Sequence, residues 1–281
     1  FEMPAHKLLG GYRDKLKCYA SSYPNMGSPE VFAELQAAWL KHLVLFFRDQ
    51  PLSFEQQKAF GHRFGDLHVH PVAPKDAEYP EIFVVHGDAT VKFVAGEVWH
   101  SDVSCDIEPP MASMLRVEQV PTSGGDTLFA SMYAAYEALS DGMKSLLQNL
   151  KAVNSDRLVA GPGAAARSSK RATKARTDSR WRETISIHPV VRTHPETGRK
   201  SLFINHSYTV GLEGMSEEES KPLLDWLMDW GHRPEFTCRF RWRKGSVAFW
   251  DNRCTKHIAV DDVYDYRRVM RRVQIAGDRP C

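Results

Sequence analysis

The sequence predicts an α+β fold that is mostly β, an antiparallel barrel or sandwich with helices packed outside it. Many short apolar or alternating runs, typical of strands, are distributed over the 281 residues. These runs do not alternate regularly with helical segments, as they would in a doubly wound parallel sheet. The composition, 42% hydrophobic and 26% charged, is typical of a globular protein. Antiparallel sheets that close or pack face to face fit this pattern.

The first half of the chain carries both helix and strand signals. Ser28 followed by Pro29 predicts a helix start, because serine caps helices and proline suits their first turn. The apolar residues that follow recur at helical spacing as far as Trp39. The other elements predicted before residue 150 are a strand at 43–47, a helix from Ser53 to Phe64, strands at 82–85 and 111–117, and helices that begin at Ser131 and Ser140.

The second half is richer in strands. Ser216 with Glu219 three residues later is a capping-box pattern, which predicts an amphipathic helix that continues through Trp230. The other elements predicted here are strands at 187–192 and 202–204 joined by a turn at 195–198, and strands at 237–242, 247–250 and 268–275.

Residues 159–180 differ from the rest of the chain. The segment contains Gly161-Pro162-Gly163, an alanine triplet and six lysines and arginines. Basic segments that bind single-stranded nucleic acid usually carry interleaved aromatic residues, and this one has none. We therefore predict a flexible basic insertion at the surface of a single domain that spans residues 1–281.

Charge and cysteine content exclude several classes of protein. A formal net charge of +2 gives no overall attraction to nucleic acid or to anionic membranes. No apolar run approaches the roughly 18–20 residues of a membrane span, so a soluble protein is expected. The five cysteines are scattered without a C-x-x-C pair, which argues against a disulfide framework and fits a reducing cytoplasm. The first four residues do not resemble a secretory signal peptide.

The segment Trp99-His100-Ser101-Asp102 is the sharpest local feature. In an extended chain, residues two apart project to the same side, so His100 and Asp102 can address one point in space. One imidazole and one carboxylate are two thirds of the facial triad that binds iron(II) with three coordination positions left open. Taken alone, a His-x-Asp pair is also explained by chance or by ordinary hydrogen bonding.

Two arginines near the C-terminus point to anions. The predicted strand at 268–275 turns Arg268 and Arg272 to the same face. They lie four residues apart, about 13 Å along a strand, which is too far for both to grip one end of a small dicarboxylate. An inward-facing guanidinium needs an anionic partner. Arg272 is therefore expected to bind a second anion. The alternatives are that Arg272 pairs with a neighbouring aspartate or with the same anion as Arg268, or that both arginines lie exposed in salt bridges.

The motifs together resemble the taurine dioxygenase (TauD/TfdA) family of iron(II)- and 2-oxoglutarate-dependent dioxygenases. Besides His100-x-Asp102, the sequence has a distal His257 and Arg268 eleven residues beyond it. The resemblance runs from about Leu43 to Pro280. Further matching segments, in the order of the family, are 64–71 (FGDLHVHP), 124–127 (GGDT), 188–195 (HPVVRTHP) and 250–253 (WDNR).

The resemblance implies a fold, a metal and a cosubstrate. The family fold is a double-stranded β-helix, or jelly roll. His100, Asp102 and His257 would bind Fe(II), and no catalytic side chain beyond this metal centre is implied. Arg268 would pair with the distal carboxylate of 2-oxoglutarate, and the Thr127 hydroxyl would assist it.

The resemblance also implies a substrate class. His70, Tyr208 and Arg272 fall at or near substrate-contacting positions of the family's taurine enzyme, whereas Ala73 and Gly96 replace larger contacting residues. An anionic substrate in a roomier pocket is therefore expected, of sulfonate, alkyl sulfate or aryloxyalkanoate type. The enzyme would hydroxylate it with O2 and release succinate and CO2.

Two other function classes are consistent with the same ligand set. A zinc-dependent hydrolase could use the same His/Asp/His site, since two histidines and a carboxylate also bind zinc. It would lack an evident general base and would leave Arg268 and Thr127 unexplained. A catalytically inactive binding module would have little reason to keep all three ligands. A homo-oligomer is compatible with the sequence.

Overall fold

Fourteen strands and five α-helices are found in the described part of the chain. The computed structural model describes residues 29–69, 78–87, 96–161, 181–262 and 267–281. The helices are α1 (Pro29–His42), α2 (Phe54–His62), α3 (Met132–Glu137), α4 (Asp141–Leu147) and α5 (Glu217–Trp230). The strands are β1 (Val44–Phe47), β2 (Leu67–His68), β3 (Phe83–Gly87), β4 (Ala112–Gln119), β5 (Thr127–Ser131), β6 (Lys151–Ser155), β7 (Ile185–Pro189), β8 (Val191–Thr193), β9 (Lys200–Leu202), β10 (Thr209–Leu212), β11 (Thr237–Phe240), β12 (Val247–Asp251), β13 (Thr255–Ala259) and β14 (Arg268–Ile275).

The strands form antiparallel sheets, as the sequence predicts. The largest sheet has the order β1-β12-β4-β14-β2, and β3 also pairs with β14. A second sheet has the order β11-β5-β13, and smaller sheets are β10-β6-β7 and β8-β9. All pairings between the named strands are antiparallel. The fold is therefore the predicted α+β jelly roll, with its strands in two principal sheets.

One apolar core joins the two principal sheets. Trp250 and Met270 of the large sheet pack in one cluster with Phe129 and Phe240 of the β11-β5-β13 sheet. On its other face, the large sheet is covered by α1 and α2, whose buried aromatic residues include Trp39. The Trp39 ring stacks on Phe249 with centroids 4.9 Å apart. These contacts fix how the strands that carry the candidate site lie relative to one another.

The helix starts follow the sequence signals. The Ser216 hydroxyl accepts the Glu219 backbone N–H while the Glu219 carboxylate accepts the Ser216 N–H, which is the predicted capping box. Ser53 makes an equivalent box with Gln56. Ser131 and Ser140 cap α3 and α4. Helix α1 begins at the predicted Pro29.

Several boundaries and strands differ from prediction. The helix predicted from Ser140 includes Leu150, whereas α4 ends at Leu147, and the predicted strand at 187–192 is divided into β7 and β8. Strands β2, β5, β6, β10 and β13 are not predicted from the sequence. Strand β13 has no recognisable alternation, because its adjacent Lys256 and His257 are both buried, on opposite faces of the strand. An alternating pattern presupposes that one face is solvated, and this strand has no such face.

Some predictions fall on residues that are not described. Residues 162–180, most of the predicted basic insertion, and the substrate-site candidate His70 lie outside the described ranges. In the described ranges, none of the helices combines the length and apolar character of a membrane span.

A buried charged group stabilises the end of β12. Asp251 is 1% exposed, and its carboxylate accepts hydrogen bonds from the Arg253 guanidinium at 2.7 and 2.9 Å and from His194 Nε2 at 3.0 Å. Arg253 also pairs with Glu196 at 2.8 Å. Burial by itself raises the pKa of Asp251, but the nearby Arg253 and His194 outweigh it and hold this pKa below its ordinary value. Asp251 is therefore an ionised scaffold residue.

We expect Asp251→Asn to lower the free energy of unfolding by about 3–5 kcal/mol at pH 7, because it leaves a buried guanidinium short of a partner. The pKa of Asp251 is lower in the folded than in the unfolded chain. Its contribution is therefore complete above about pH 4 and is lost as the pH falls through the folded-state value. Guanidinium denaturation at pH 7 and at lower pH should show this penalty shrinking in acid. The exposed Asp225→Asn is the control, with an expected change within about 0.5 kcal/mol; an equal cost for both variants would contradict the prediction.

Candidate metal centre

His100 and His257 face each other across an antiparallel bridge. The His100 N–H donates to the His257 carbonyl at 3.0 Å, and the His257 N–H donates to the His100 carbonyl at 2.8 Å. Directly opposed residues of an antiparallel pair project their side chains to the same face. Their imidazole centroids accordingly lie 4.1 Å apart. The backbone pairing of residues 157 positions apart in sequence brings the two rings together.

Asp102 joins the two histidines through a tight turn. The Ser101 hydroxyl donates to the Thr255 carbonyl at 2.6 Å, which ties this segment to β13 a second time. Val103 then takes a left-handed conformation with φ 47°, a strained geometry for a β-branched residue. The chain thereby turns at Asp102. One ligand atom from each of His100, Asp102 and His257 lies within 4.8 Å of the other two, and all three residues are buried.

Hydrogen bonding fixes the tautomer of His100. Its Nδ1 lies 2.7 Å from the Val98 carbonyl oxygen, which can only accept, so Nδ1 carries the proton. Nε2 therefore offers a lone pair, and it lies 3.7 Å from Asp102 Oδ1, too far for a hydrogen bond. Burial lowers the pKa of both His100 and His257, which favours their neutral, metal-binding form.

The Asp102 carboxylate is anionic and held at both oxygens. Oδ2 accepts the Ser113 hydroxyl at 2.6 Å, and Oδ1 accepts Arg272 Nη1 at 2.8 Å. Burial alone raises the pKa of Asp102, but the Arg272 charge and the Ser113 hydrogen bond outweigh it and hold this pKa well below its ordinary range. Ser113 is a site residue that the sequence does not single out. Its only signal is a hydroxyl on an inward position of the apolar run 111–117.

These residues fit an iron(II) ion. Two neutral imidazoles and one ionised carboxylate are the donor set of the 2-His-1-carboxylate sites of non-haem iron oxygenases. The His257 ring packs against Trp250 and Phe129, with centroids 4.7 and 5.9 Å away, which walls the cluster with apolar surface. Its Nδ1 is buried and has no hydrogen-bond partner among the described residues.

Gly96 makes room for the His100 ring. Its φ of +87° lies in the left-handed region that favours glycine. A Cβ at this position would lie 3.1 Å from His100 Cε1, closer than ordinary van der Waals contact. The replacement of a larger family residue by Gly96 is thus tied to the position of a candidate ligand as well as to pocket volume.

Arg268 is the first residue of β14, and Thr127 is the first residue of β5. Arg268 is buried, and its Nε has no hydrogen-bond partner among the described residues. Burial lowers the pKa of Arg268 to about 10, and Asp126 and Asp262 partly offset this effect. Asp126 directly precedes Thr127, the first residue of β5. A buried guanidinium with an unused donor suits a carboxylate, which is the partner that the family resemblance implies for Arg268.

Tyr208 and Arg272 belong to the surroundings of Asp102. Burial raises the pKa of the Tyr208 phenol, and the Asp102 carboxylate raises it further. Arg272 is paired with Asp102, one of the alternatives that the sequence analysis leaves open for it. Its guanidinium also lies 5.2 Å from the Phe83 ring centroid.

Two other groups of potential ligands are less suited to a metal. In the first, His194, Asp251 and Cys254, the imidazole has no free lone pair, because Nδ1 accepts backbone N–H groups and Nε2 donates to Asp251. In the second, His206, Asp229 and His232, burial and the nearby buried Lys256 lower the pKa of both histidines, and the charge of Lys256 opposes a cation. Within the described ranges, the His100 group combines burial with an unengaged histidine lone pair and a fixed carboxylate.

Comparison with known proteins supports the same chemistry. A family model described as "Taurine catabolism dioxygenase TauD, TfdA family" matches residues 20–274. An alkylsulfatase from Acinetobacter baylyi is 37% identical over 245 residues, which cover 86% of this chain and 75% of the relative. An alpha-ketoglutarate-dependent sulfate ester dioxygenase from Pseudomonas putida is 34% identical over 289 residues, covering 99% and 91%.

Solved structures agree with the fold. A taurine dioxygenase from Burkholderia xenovorans superimposes with a TM-score of 0.74 and 35% sequence identity. The match covers 90% of this chain and 82% of that one.

Proposed function

Because the chain belongs to the TauD, TfdA family of dioxygenases, we propose that it oxidises organic sulfate esters at the His100, Asp102 and His257 centre. The protein is an iron(II)- and 2-oxoglutarate-dependent dioxygenase. The observation that carries the site assignment is the convergence of these three buried side chains, with ligand atoms within 4.8 Å of one another. The sulfate ester class is supported by the two relatives described above.

The three side chains would hold iron(II) from one side. His100 would bind through Nε2, since Nδ1 is committed to the Val98 carbonyl. When bound, iron(II) and 2-oxoglutarate supply the oxidising chemistry that uses O2 to hydroxylate a C–H bond and yields succinate and CO2. The protein would contribute the three ligands and an apolar surface, formed by Trp250 and Phe129, that packs against His257.

Arg268 and Thr127 are proposed to hold 2-oxoglutarate. The buried guanidinium would pair with the distal carboxylate, and the Thr127 hydroxyl would donate to it. Thr127 Oγ1 accepts the Trp242 indole N–H at 2.9 Å, which leaves its own proton free for an anion. The Thr127 hydroxyl would thus accept from Trp242 and donate to the cosubstrate carboxylate.

Arg272 is proposed to hold the sulfate group, with Tyr208 in the pocket and His70 assisting. Nη1 of Arg272 is used by Asp102, and its Nε has no partner among the described residues. Hydroxylation of the carbon that bears the sulfate oxygen gives a product that collapses to an aldehyde or ketone and releases sulfate. A zinc hydrolase would use neither Arg268 nor Thr127 in this way, and O2 consumption distinguishes the two.

We expect His100→Ala and Asp102→Ala to abolish iron-dependent turnover, because two ligands cannot hold the ion in facial geometry. Anaerobic iron titration and 2-oxoglutarate-dependent succinate release with an alkyl sulfate, followed with O2 uptake, would measure this. The exposed His62→Ala is the control and should behave as wild type. Wild-type succinate release by either ligand variant would refute the metal assignment. Substrate turnover without O2 uptake in the wild-type protein would favour the hydrolase.

Arg268→Ala should raise the KM for 2-oxoglutarate by about 10- to 150-fold, the effect of losing one charged hydrogen-bond partner. Iron affinity without 2-oxoglutarate should stay unchanged, since no hydrogen bond among the described residues joins Arg268 to any of the three candidate ligands. Steady-state kinetics and an iron titration measure the two quantities separately. An unchanged KM for 2-oxoglutarate would remove Arg268 from the cosubstrate site.

Arg272→Met should weaken alkyl sulfate binding by about 10- to 150-fold for the same reason, while the visible charge-transfer band of the iron–2-oxoglutarate complex persists. Arg271→Met is the matched control, because Arg271 points outward and pairs with Glu118 at 2.6 Å. Parallel assays with a sulfonate and an aryloxyalkanoate test the substrate class. Loss of the band in Arg272→Met, or full activity on a neutral substrate, would show that Arg272 serves only Asp102 or the cosubstrate.

A further inference from the structure

The two oxygens of the Asp102 carboxylate have different partners. Oδ1 lies toward His100 Nε2 and accepts Arg272, which leaves one of its two lone pairs for a metal. Oδ2 accepts a short 2.6 Å hydrogen bond from the Ser113 hydroxyl. Ser113 is completely buried on β4. The carboxylate is thus held so that Oδ1 faces the histidines and Oδ2 faces Ser113.

The direction of this hydrogen bond is fixed by a relay of neighbouring groups. The Trp250 indole N–H can only donate, and it donates to Asn252 Oδ1 at 2.8 Å. The orientation of the Asn252 amide is therefore determined, and its Nδ2 donates to Ser113 Oγ at 3.0 Å. Gln274 Nε2 approaches the same oxygen at 3.3 Å. With these donors at Ser113 Oγ, its single proton points to Asp102.

Strand register builds the relay into the large sheet. Ser113 of β4 is directly opposite Trp250 of β12 on one side and Gln274 of β14 on the other. The three residues are buried at adjacent points of three consecutive strands. Asn252 follows the end of β12 and donates its backbone N–H to the Met111 carbonyl at 2.8 Å. The relay is therefore rigid on both sides of the hydroxyl.

We propose that Trp250, Asn252 and Ser113 are positioning residues that keep Asp102 a one-oxygen ligand. A carboxylate that rotated to bind through both oxygens would take one of the coordination positions that 2-oxoglutarate and O2 need. The Ser113 hydrogen bond opposes that rotation by engaging Oδ2. This inference rests on the proposed role of Asp102 as an iron ligand.

Ser113→Ala tests the proposal directly. Affinity for iron(II) under anaerobic conditions and the visible charge-transfer band of the iron–2-oxoglutarate complex are measured together with thermal unfolding of the metal-free protein. We expect metal affinity to fall by about 10- to 100-fold, as for other groups that orient metal ligands, and the band to shift or weaken at saturating metal. Asn252→Ala keeps the Ser113 hydroxyl but removes its orientation, so the same changes should be smaller. Ser113→Thr restores a hydroxyl and should restore the band.

Ser201→Ala is the matched control, because this completely buried serine donates to the Arg253 backbone carbonyl and not to a ligand. A purely structural role for Ser113 predicts a lower unfolding temperature with a wild-type band at saturating metal, and that result would overturn the proposal. If Ser113→Ala does not fold, an unchanged band and affinity in Asn252→Ala decide against the relay. A wild-type protein that forms no band with iron(II) and 2-oxoglutarate would instead refute the proposed function itself.

Discussion

The burial of one carboxylate constrains the rest of this structure. Asp102 is 2% exposed, and an ionised group in that position costs several kcal/mol unless charges and donors surround it. Arg272 and Ser113 supply them directly, and each comes from a different strand of the large sheet. The pairing of β4 with β14 therefore stabilises the buried charge of Asp102 in addition to packing the sheet. A shift of one residue in that register would turn these side chains to the other face.

The candidate metal centre lies where a regular sheet gives way to strained backbone. The His100–His257 bridge continues the pairing of β13 beyond the named strands, so the two imidazoles are set by ordinary antiparallel geometry. Asp102 cannot reach them by simple extension, and the left-handed Val103 makes the turn. Gly96 leaves space behind the His100 ring. Such strain persists only where the surrounding structure fixes it, and here buried hydrogen bonds do so.

Two arginines on strand β14, Arg268 and Arg272, differ in the anionic groups that surround them. Arg268 lies buried at the start of β14, and the charges of Asp126 and Asp262 partly offset the effect of burial on its pKa. Arg272 lies four residues further along the same strand and pairs with the Asp102 carboxylate. The same strand thus carries one buried guanidinium with an unused donor and another that pairs with the candidate metal ligand Asp102. An anionic substrate bound at Arg272 would be held directly next to the metal.

The sequence by itself determined the antiparallel α+β architecture, most helix starts, the family resemblance and the candidate ligands His100, Asp102 and His257. These depend on local patterns, such as capping boxes, apolar periodicity and motif spacing, which a single chain displays directly. Only the tertiary structure decided how Asp102 is held, because Ser113, Asn252 and Arg272 are distant in sequence and meet through strand register. Strand β13 escaped prediction for the same reason, since its burial on both faces depends on elements that pack against it from elsewhere in the chain. Contacts between separated segments are set by how sheets pair and pack, and no local pattern records them.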